Sequence, residues 1–352
     1  RAITANRAWC PSPGPARTVF NPLPWDRDVT VRLASPMPAA LTDASGTPLP
    51  TQTVRDAGGM AVLCAVRVPA LGSATLLASA RQPPRTRRPA GSGAPDVLDG
   101  PHVRLRFDAA GAITSLLDKA RLREVAIAGR RLNEFQAFRD EPRHWEAWDI
   151  DPDYERKAVD LFGPATIRIV ERGPLRWRAR VAWGGRSPTR IEQDVLLHSD
   201  SPRIDFVTRV AWHERRTLLK VAFPLAVRAD RATYEIPFGA IVRPTRARSR
   251  RARARWEVAG QQWADLSEPG YGVSLLNDSK YGYDCRETTL RLTLIRSPRY
   301  PHHAEPMSKT TGRCTDQGEH RFTYALLPHA DTWREALTVR RARELNVPVV
   351  VL

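Results

Sequence analysis

Residues 139 to 155 read RDEPRHWEAWDIDPDYE and concentrate side chains that could do chemistry. Trp145 and Trp148 stand three residues apart among carboxylates. An indole face stacks on the apolar C–H face of a sugar while carboxylates accept from its hydroxyls, so a glycan platform is one interpretation. The other is that both indoles belong to a β-domain core and need only a partner for the ring N–H. The residue types alone favour the core.

Three aspartates in the same segment have the spacing of a calcium-binding loop. Asp149, Asp151 and Asp153 alternate along the chain, as the first oxygen ligands of an EF-hand do. Tyr154 occupies the position where that loop requires glycine, and Pro152 stiffens the chain before it. The spacing excludes an EF-hand and leaves only a looser calcium site as an alternative.

The spacing of the remaining reactive residues matches no common metal-binding or catalytic motif. His302, His303, Cys314 and His320 fit no zinc signature, and the segment that carries them is predicted to be a polar surface loop. The four cysteines form no CxxC pair, so a reducing cytoplasm is the simpler location. No G-x-S-x-G, P-loop or G-x-G-x-x-G motif is present. We predict no metal site and no catalytic residue in this chain.

The composition predicts a folded protein with more than one core. The chain has 352 residues, of which 42% are hydrophobic, and ten tryptophans. The net charge of +17 comes almost wholly from arginine, which indicates a compositional bias rather than a nucleic-acid surface. No run of about 18 uncharged apolar residues occurs, so no membrane span is predicted.

Short alternating segments separated by turn residues predict an all-β protein. Hairpins are expected at the turns 110–111 and 173–174, and the strand intervals favour a large antiparallel sandwich behind a small β-sandwich. The predicted divisions are a small β domain at 1–80, a Pro/Gly/Arg-rich linker at 81–96, the large β-sandwich at 97–329, and the start of a truncated C-terminal β segment at 330–352.

Two segments depart from the strand pattern. A helix is predicted only within DTWREALTVRRARELN, where Trp333, Leu337, Arg341 and Leu345 recur at fourfold spacing. The other segment, Arg243 to Glu257, is the most basic run of the chain. It could line an edge strand and block unwanted pairing, or form a solvated loop. Stacking on a nucleic acid needs several aromatic side chains, and only Trp256 is near.

Seven segments occur in a characteristic order: VFNPLPW (19–25), DEPRHWEAWDID (140–151), LLKVAFP (218–224), YEIPFGAIVRPT (234–245), QQWADLSEPGYGVSLLNDSKYGYD (261–284), LRLTLIRSPRYP (290–301) and HRFTYALLPH (320–329). Their order resembles the C-terminal β-region of glycoside hydrolase family 38, the zinc-dependent α-mannosidases, most closely their cytosolic and vacuolar branch. Glu146 and Gln262 stand where the family usually has Asp and His, and the Arg246–Arg255 run is more basic than usual. The resemblance implies a galactose mutarotase-like supersandwich.

The resemblance also implies a retaining hydrolysis of α-mannosides. In such a mechanism one Asp attacks the anomeric carbon, and a second carboxyl group donates and recovers the proton. Zinc held by His and Asp grips the mannose hydroxyls. In the family these groups belong to an N-terminal α/β domain, and nothing after Arg1 matches its motifs. We therefore expect a piece of a longer enzyme, with zinc in the missing catalytic domain, no cofactor in this chain and no activity of this chain alone.

The loop NDSKYGYD is the segment that the resemblance brings nearest to the mannose site. Lys280 is expected to meet a substrate hydroxyl or a carboxylate of the catalytic domain, with Tyr281 beside it. The alternative is that Asn277 and Asp278 only form a turn.

Trp145 and Trp148 are expected to brace the sandwich against its neighbour, with Asp149 accepting a hydrogen bond. The predicted partners are the catalytic α/β domain of the same polypeptide and an α-mannoside oligosaccharide, without nucleic acid or membrane, and the oligomeric state is left open. Two alternatives remain: a noncatalytic carbohydrate-binding sandwich and a basic nucleic-acid-binding protein. A steep loss of affinity with salt would identify the latter.

Overall fold

The structure is a computed structural model that describes residues 16–34, 40–56, 58–79, 94–300 and 312–352. These residues pack as two compact units. The first unit takes in the described residues up to 79, Gly173–Leu175 and Val347–Leu352, and the second takes in the remainder. Most of the predicted linker at 81–96 lies outside the described residues, which resume at 94.

The first unit is a small sandwich of two antiparallel sheets. Val31 and Leu33 are buried while Arg32 between them is exposed, as the alternating pattern predicts. These side chains join Leu41 and Leu76 of the other sheet in one core. The strands, in chain order, are β1 (Ala16–Phe20), β2 (Arg27–Ala34), β3 (Leu41–Thr42), β4 (Pro48–Leu49), β5 (Thr51–Asp56), β6 (Gly59–Val68) and β7 (Ser73–Ala78).

The second unit contains nineteen strands in its described residues, with a 3₁₀ turn at Tyr154–Arg156 and a short helix, α1 (Arg250–Arg253). The strands are β8 (Val97–Asp99), β9 (Val103–Phe107), β10 (Ile113–Asp118), β11 (Arg123–Glu124), β12 (Glu134–Arg139), β13 (Ala158–Val159), β14 (Thr166–Arg172), β15 (Arg176–Trp183), β16 (Arg190–His198), β17 (Ile204–Trp212), β18 (Thr217–Pro224), β19 (Arg231–Ile236), β20 (Gly239–Pro244), β21 (Val258–Ala259), β22 (Trp263–Glu268), β23 (Tyr271–Asn277), β24 (Gly282–Arg286), β25 (Thr289–Arg296) and β26 (Gly318–His329).

Three antiparallel sheets build this unit. The nine-stranded sheet has the order β14-β15-β16-β17-β26-β23-β22-β19-β20, and the six-stranded sheet has the order β13-β12-β18-β25-β24-β21. A four-stranded sheet, β11-β10-β9-β8, completes it. Phe206 and Tyr324 of the nine-stranded sheet stack at 5.1 Å, and Phe223 of the six-stranded sheet packs edge-on against Tyr324. The predicted all-β class is confirmed.

Both predicted hairpin turns are present. β9 and β10 pair across the turn at 110–111, and β14 and β15 pair across the turn at 173–174. At the first turn Gly111 has a φ of +79°, in the left-handed region that favours glycine. The indole Nε1 of Trp183 donates to the Ala110 carbonyl at 2.7 Å, so this turn is seated against the core.

The predicted helix is shorter than its spacing suggested. α2 (Thr338–Asn346) begins one residue after Leu337, which has a φ of +54° and cannot continue a right-handed helix. Trp333 therefore precedes the helix and packs against Trp263 with ring centroids 4.8 Å apart. After α2 the chain forms β27 (Val350–Val351), which pairs with β1 in the five-stranded sheet β27-β1-β7-β3-β4.

Asp205 of β17 is a buried carboxylate with two basic partners. Its Oδ1 accepts from Arg203 Nε at 2.6 Å, and its Oδ2 lies 2.9 Å from His198 Nε2. Burial opposes ionisation, but the charges of Arg203 and His198 outweigh it and lower the pKa of Asp205 below its ordinary value. A depressed pKa stabilises the fold above the unfolded pKa of about 3.9, and this contribution is lost as the pH falls through the folded pKa.

We therefore expect Asp205→Asn to lower the unfolding free energy by about 3 kcal/mol at pH 7, and by progressively less below about pH 4. Urea unfolding at pH 7, 5 and 3 measures the difference. Asp160→Asn is the control, because Asp160 pairs with Arg186 on the surface and such pairs contribute about 1 kcal/mol or less. A difference that does not change with pH would contradict the prediction.

Candidate functional site

The tryptophan-bearing segment is an exposed loop, residues 140–153, between β12 and the 3₁₀ turn; we name it the tryptophan loop. The side chains of Trp145 and Trp148 are 60% and 64% exposed, and their rings meet edge-on with centroids 6.1 Å apart. The backbone N–H groups of Trp148 and Asp149 both donate to the Trp145 carbonyl, at 2.7 and 2.8 Å. The interpretation from residue types alone, that the indoles lie in the core of this chain, is wrong, because this tight turn holds both rings at the surface. The expectation that they brace the sandwich against its neighbour stays a prediction.

Arg296 of β25 fixes the tryptophan loop to the six-stranded sheet. Its Nε donates to Asp140 Oδ2 at 2.6 Å, and its Nη atoms donate to the backbone carbonyls of Glu146, Ala147 and Asp149. Asp140 is buried, which raises the pKa of its carboxyl group, and the charge of Arg296 acts in the opposite direction. One guanidinium thus holds three carbonyls, so the backbone that presents the indoles is preorganised.

The aspartates of the loop are used for local contacts. Asp149 Oδ1 accepts from the N–H of Ile150 at 2.9 Å, and Asp151 Oδ2 accepts from the N–H of Arg143 at 3.2 Å. Asp153 Oδ1 lies 3.4 Å from the Nζ of Lys157 and forms an ion pair with it. These three carboxylates therefore stabilise the turns of the loop.

No metal-binding group is found within the residues that the structure describes: no three His, Cys, Asp or Glu side chains are arranged to hold an ion. His302 and His303 of the His/Cys-containing segment lie outside those residues. The described residues therefore do not fit zinc, and we derive no catalytic step through a metal here.

The loop with Lys280, residues 278–281 between β23 and β24, is organised by Asn277 at the end of β23; we name it the lysine loop. The buried Asn277 Oδ1 accepts from the N–H groups of Ser279 and Lys280 at 3.0 and 2.6 Å. Asp278 Oδ2 accepts from the N–H of Thr323 at 2.9 Å, which joins the loop to β26. The turn that we considered as an alternative is present, and it fixes the position of Lys280.

Lys280 is a half-buried cation without an ion pair among the described residues. Its Nζ lies 4.4 Å from the centroid of the Phe322 ring, a distance at which a cation is attracted by an aromatic face. Burial lowers the pKa of Lys280, while Asp278 and Asp316 oppose that shift. Tyr281 beside it is 58% exposed. The lysine loop therefore offers an ammonium group and a phenol to a partner or a ligand.

The two loops are anchored by different contacts. Arg296 holds the tryptophan loop to β25 of the six-stranded sheet, whereas the lysine loop runs from β23 of the nine-stranded sheet to β24 of the six-stranded sheet. The six predicted site residues thus belong to two loops, one containing Trp145, Trp148 and Asp149, the other Asp278, Lys280 and Tyr281.

A buried Ser–His–Asp cluster escaped the sequence analysis because its members lie far apart in the chain. Ser274 Oγ and Asp265 Oδ2 both approach the same atom, His329 Nε2, at 3.2 and 2.8 Å. A catalytic triad needs the serine and the aspartate on opposite ring nitrogens. Ser274 Oγ also lies 2.8 Å from Thr338 Oγ1. The cluster therefore ties α2 to the sheet and is not a nucleophilic centre.

A buried charge network lies on the six-stranded sheet. Lys220 of β18 is fully buried, and its Nζ donates to Glu257 Oε2 at 2.5 Å and to Asp284 Oδ2 at 2.8 Å. Arg291 donates to the other Asp284 oxygen at 2.7 Å and pairs with Glu155. Burial opposes the charge of Lys220, but Asp284 and Glu257 raise its pKa above the ordinary value. Each charge is thus compensated by a neighbour, as buried ions require.

Within the described chain, no helix has the length and apolar character needed to cross a bilayer.

Comparison with known proteins places the fold and the sequence in one family. Residues 98–304 match the family described as "Glycosyl hydrolases family 38 C-terminal domain". A solved glycosyl hydrolase family 38 protein from Enterococcus faecalis shares the fold, with a TM-score of 0.71 and 16% identity, over 96% of this chain and 47% of that one.

Related sequences agree with the match. "Alpha-mannosidase 2C1" of Homo sapiens is 34% identical over 352 residues, covering 97% of this chain and 30% of the human protein. "Alpha-mannosidase G" of Dictyostelium discoideum is 34% identical over 255 residues, covering 71% of this chain and 22% of that protein. The chain thus spans about 30% or less of the length of these relatives. It belongs to glycosyl hydrolase family 38 and contains the C-terminal domain of that family.

Proposed function

We propose that the chain is the C-terminal β-region of a retaining, zinc-dependent α-mannosidase that hydrolyses α-mannosides of oligosaccharides. The observation that carries the proposal is the match of nearly the whole chain to under a third of human alpha-mannosidase 2C1. The catalytic α/β domain, with its zinc and its two carboxylates, belongs to the remaining part of the polypeptide. The present residues supply the β-scaffold on which that domain packs.

Activity of the separate parts tests this proposal. The isolated chain, supplied with zinc, is expected to release no p-nitrophenol from p-nitrophenyl α-mannoside, whereas the protein encoded by the complete reading frame hydrolyses it. The complete protein with p-nitrophenyl β-mannoside serves as the control for anomeric specificity. Zinc-dependent turnover by the isolated chain would show that the active site is misplaced, and an inactive complete protein would contradict the mannosidase assignment.

The two loops have different roles in this proposal. Lys280, with Tyr281 beside it and Asp278 holding its backbone, reaches a mannose hydroxyl or a carboxylate of the catalytic domain. Its half-buried ammonium group supports this role, because an unpaired cation is ready to donate hydrogen bonds. Trp145 and Trp148, on the turn that contains Asp149, cover apolar surface of the catalytic domain. Their exposure supports a docking role, because large exposed aromatic side chains mark interaction surfaces.

The exposed indoles also support a second candidate function, a noncatalytic carbohydrate-binding module. Two tryptophans that meet edge-on at the surface offer faces on which pyranose rings stack. Titration of the isolated chain with α-mannobiose separates the candidates. A saturable change in tryptophan fluorescence that Trp148→Ala abolishes would favour the module, and its absence would favour the docking surface.

A cytoplasmic location completes the proposal. Cys64, Cys285 and Cys314 are free thiols, and burial raises the pKa of the Cys64 thiol to about 12. Unpaired thiols are typical of proteins that work in a reducing compartment.

A further inference from the structure

One cleft of the second unit borders the tryptophan loop. It has a volume of about 470 Å³, and its walls come from Pro152 of that loop and from residues within 244–256 and 284–287. We name it the arginine cleft, because five arginines line it: Arg246, Arg248, Arg253, Arg255 and Arg286. The size is that of an ordinary small-molecule site, which ranges from roughly 300 to 1,000 Å³.

The positive charge of the arginine cleft exceeds its negative charge. Asp284 and Glu287 are the carboxylates among its lining residues. Both oxygens of Asp284 are already engaged by buried cations, as described above. Glu287 lies 4.0 Å from Arg246, with both side chains exposed, so this pair neutralises little.

Three of the arginines have no ion pair among the described residues: Arg248, Arg253 and Arg255. Arg286, by contrast, pairs with Glu155. Burial lowers the pKa of the neighbouring Arg243, Tyr234 opposes the shift, and the positive charge of Arg255 adds a smaller lowering. Three guanidinium groups of the lining thus have no carboxylate partner among the described residues.

The segment that carries these arginines lies at the surface beyond the edge strand β20, in line with the expectation of an edge strand or a solvated loop, and its backbone is held in place. Thr245 Oγ1 donates to the Ala229 carbonyl at 2.9 Å at one end. Trp256 Nε1 donates to the Ile150 carbonyl at 2.8 Å at the other. Between them, Ser249 caps α1 by accepting from the Ala252 N–H at 3.1 Å. The guanidinium groups therefore extend from an ordered backbone into a concave space.

We propose that the arginine cleft binds the phosphoryl group of a small phosphorylated molecule through Arg248, Arg253 and Arg255. Guanidinium groups present paired N–H donors whose geometry matches phosphate oxygens, and they remain charged at every physiological pH. The half-buried Trp256 in the wall offers an apolar surface to the organic part of the ligand. Nothing in this proposal depends on the mannosidase activity, since the cleft and its charge belong to this chain alone.

Isothermal titration calorimetry of this chain at 0.15 M salt tests the proposal. Glucose 6-phosphate, inorganic phosphate and glucose are the titrants. We expect saturable binding of the ester, competition by inorganic phosphate and no binding of glucose. Tighter binding of the ester than of phosphate would identify a phosphate monoester as the ligand, and equal affinities would identify free phosphate. Failure of both phosphates to bind at about 10 mM, a concentration that detects even millimolar affinity, would overturn the proposal.

Two double variants separate a built site from general attraction. Arg253→Gln/Arg255→Gln should weaken phosphate binding by at least about tenfold, because each substitution removes a guanidinium group and its charge-assisted hydrogen bonds to the phosphate. Arg130→Gln/Arg231→Gln removes the same charge from exposed positions outside the cleft and should leave the affinity unchanged. All four side chains are exposed, so the fold is expected to persist, which circular dichroism checks. Equal weakening by both variants would show nonspecific polyanion binding and overturn the site.

Discussion

Lys220→Met is expected to lower the free energy of unfolding by about 3–5 kcal/mol, the cost of removing one partner from a buried ion cluster. Lys220 is 0% exposed, and its ammonium group is shared by Glu257 and Asp284. Methionine fills a similar volume but supplies no charge, so two carboxylates lose their cation within the protein. Arg291 still donates a hydrogen bond to Asp284, but to the other carboxylate oxygen.

Urea unfolding of the second unit, followed by tryptophan fluorescence, measures this loss. Lys157→Met is the matched control, because Lys157 pairs with Asp153 at 3.4 Å in a partly exposed position. That variant should lose about 1 kcal/mol or less. Equal losses for the two lysines would mean that the buried network contributes no more than a surface pair.

Gly111→Ala should lower the free energy of unfolding by about 3 kcal/mol, because backbone strain and overpacking add at this turn. Gly111 has a φ of +79°. A Cβ atom there would lie 2.7 Å from Val181 Cγ1 and 2.8 Å from Trp183 Cζ2. Neither neighbour can move away easily, since Val181 is fully buried and the Trp183 indole is bonded to Ala110.

Gly129→Ala isolates the backbone contribution. Gly129 has a φ of +74°, and an added Cβ would meet no atom within 4 Å. We expect this variant to lose only about 1 kcal/mol, the cost of a left-handed conformation for alanine. The difference between the two variants in chemical denaturation measures the overpacking at Gly111. Equal losses would show that the hairpin shifts to accommodate the methyl group.

Local signals in the sequence were sufficient for the strands and the hairpins. The turn at 110–111 could be predicted because glycine and alternating hydrophobicity act within a few residues. The start of α2 could not be predicted, because fourfold spacing counted Trp333 and Leu337 as helical while the backbone leaves the helical region at Leu337. Periodicity thus identifies an element better than it identifies its first residue.

The site residues show a different limit. The residue types of Trp145 and Trp148 favoured the core because buried indoles are common. A single arginine 148 residues beyond Trp148, Arg296, instead holds their loop at the surface. Lys220 in LLKVAFP looked like an ordinary strand residue, and its partner Asp284 lies 64 residues away. Contacts between residues so far apart in the chain depend on how the sheets are arranged. The sequence of a short segment therefore does not predict them.

The pairing of β27 with β1 gives the last residues of the chain a protective role. Val350 and Val351 lie beside Phe20 and Val19 and cover the main chain of β1 on one side. A shortened version that stopped at Asn346 would leave that strand with bare N–H and C=O groups, which recruit strands from other molecules and seed aggregation. A recombinant protein that retains Val347–Leu352 should therefore aggregate less than one that ends at Asn346.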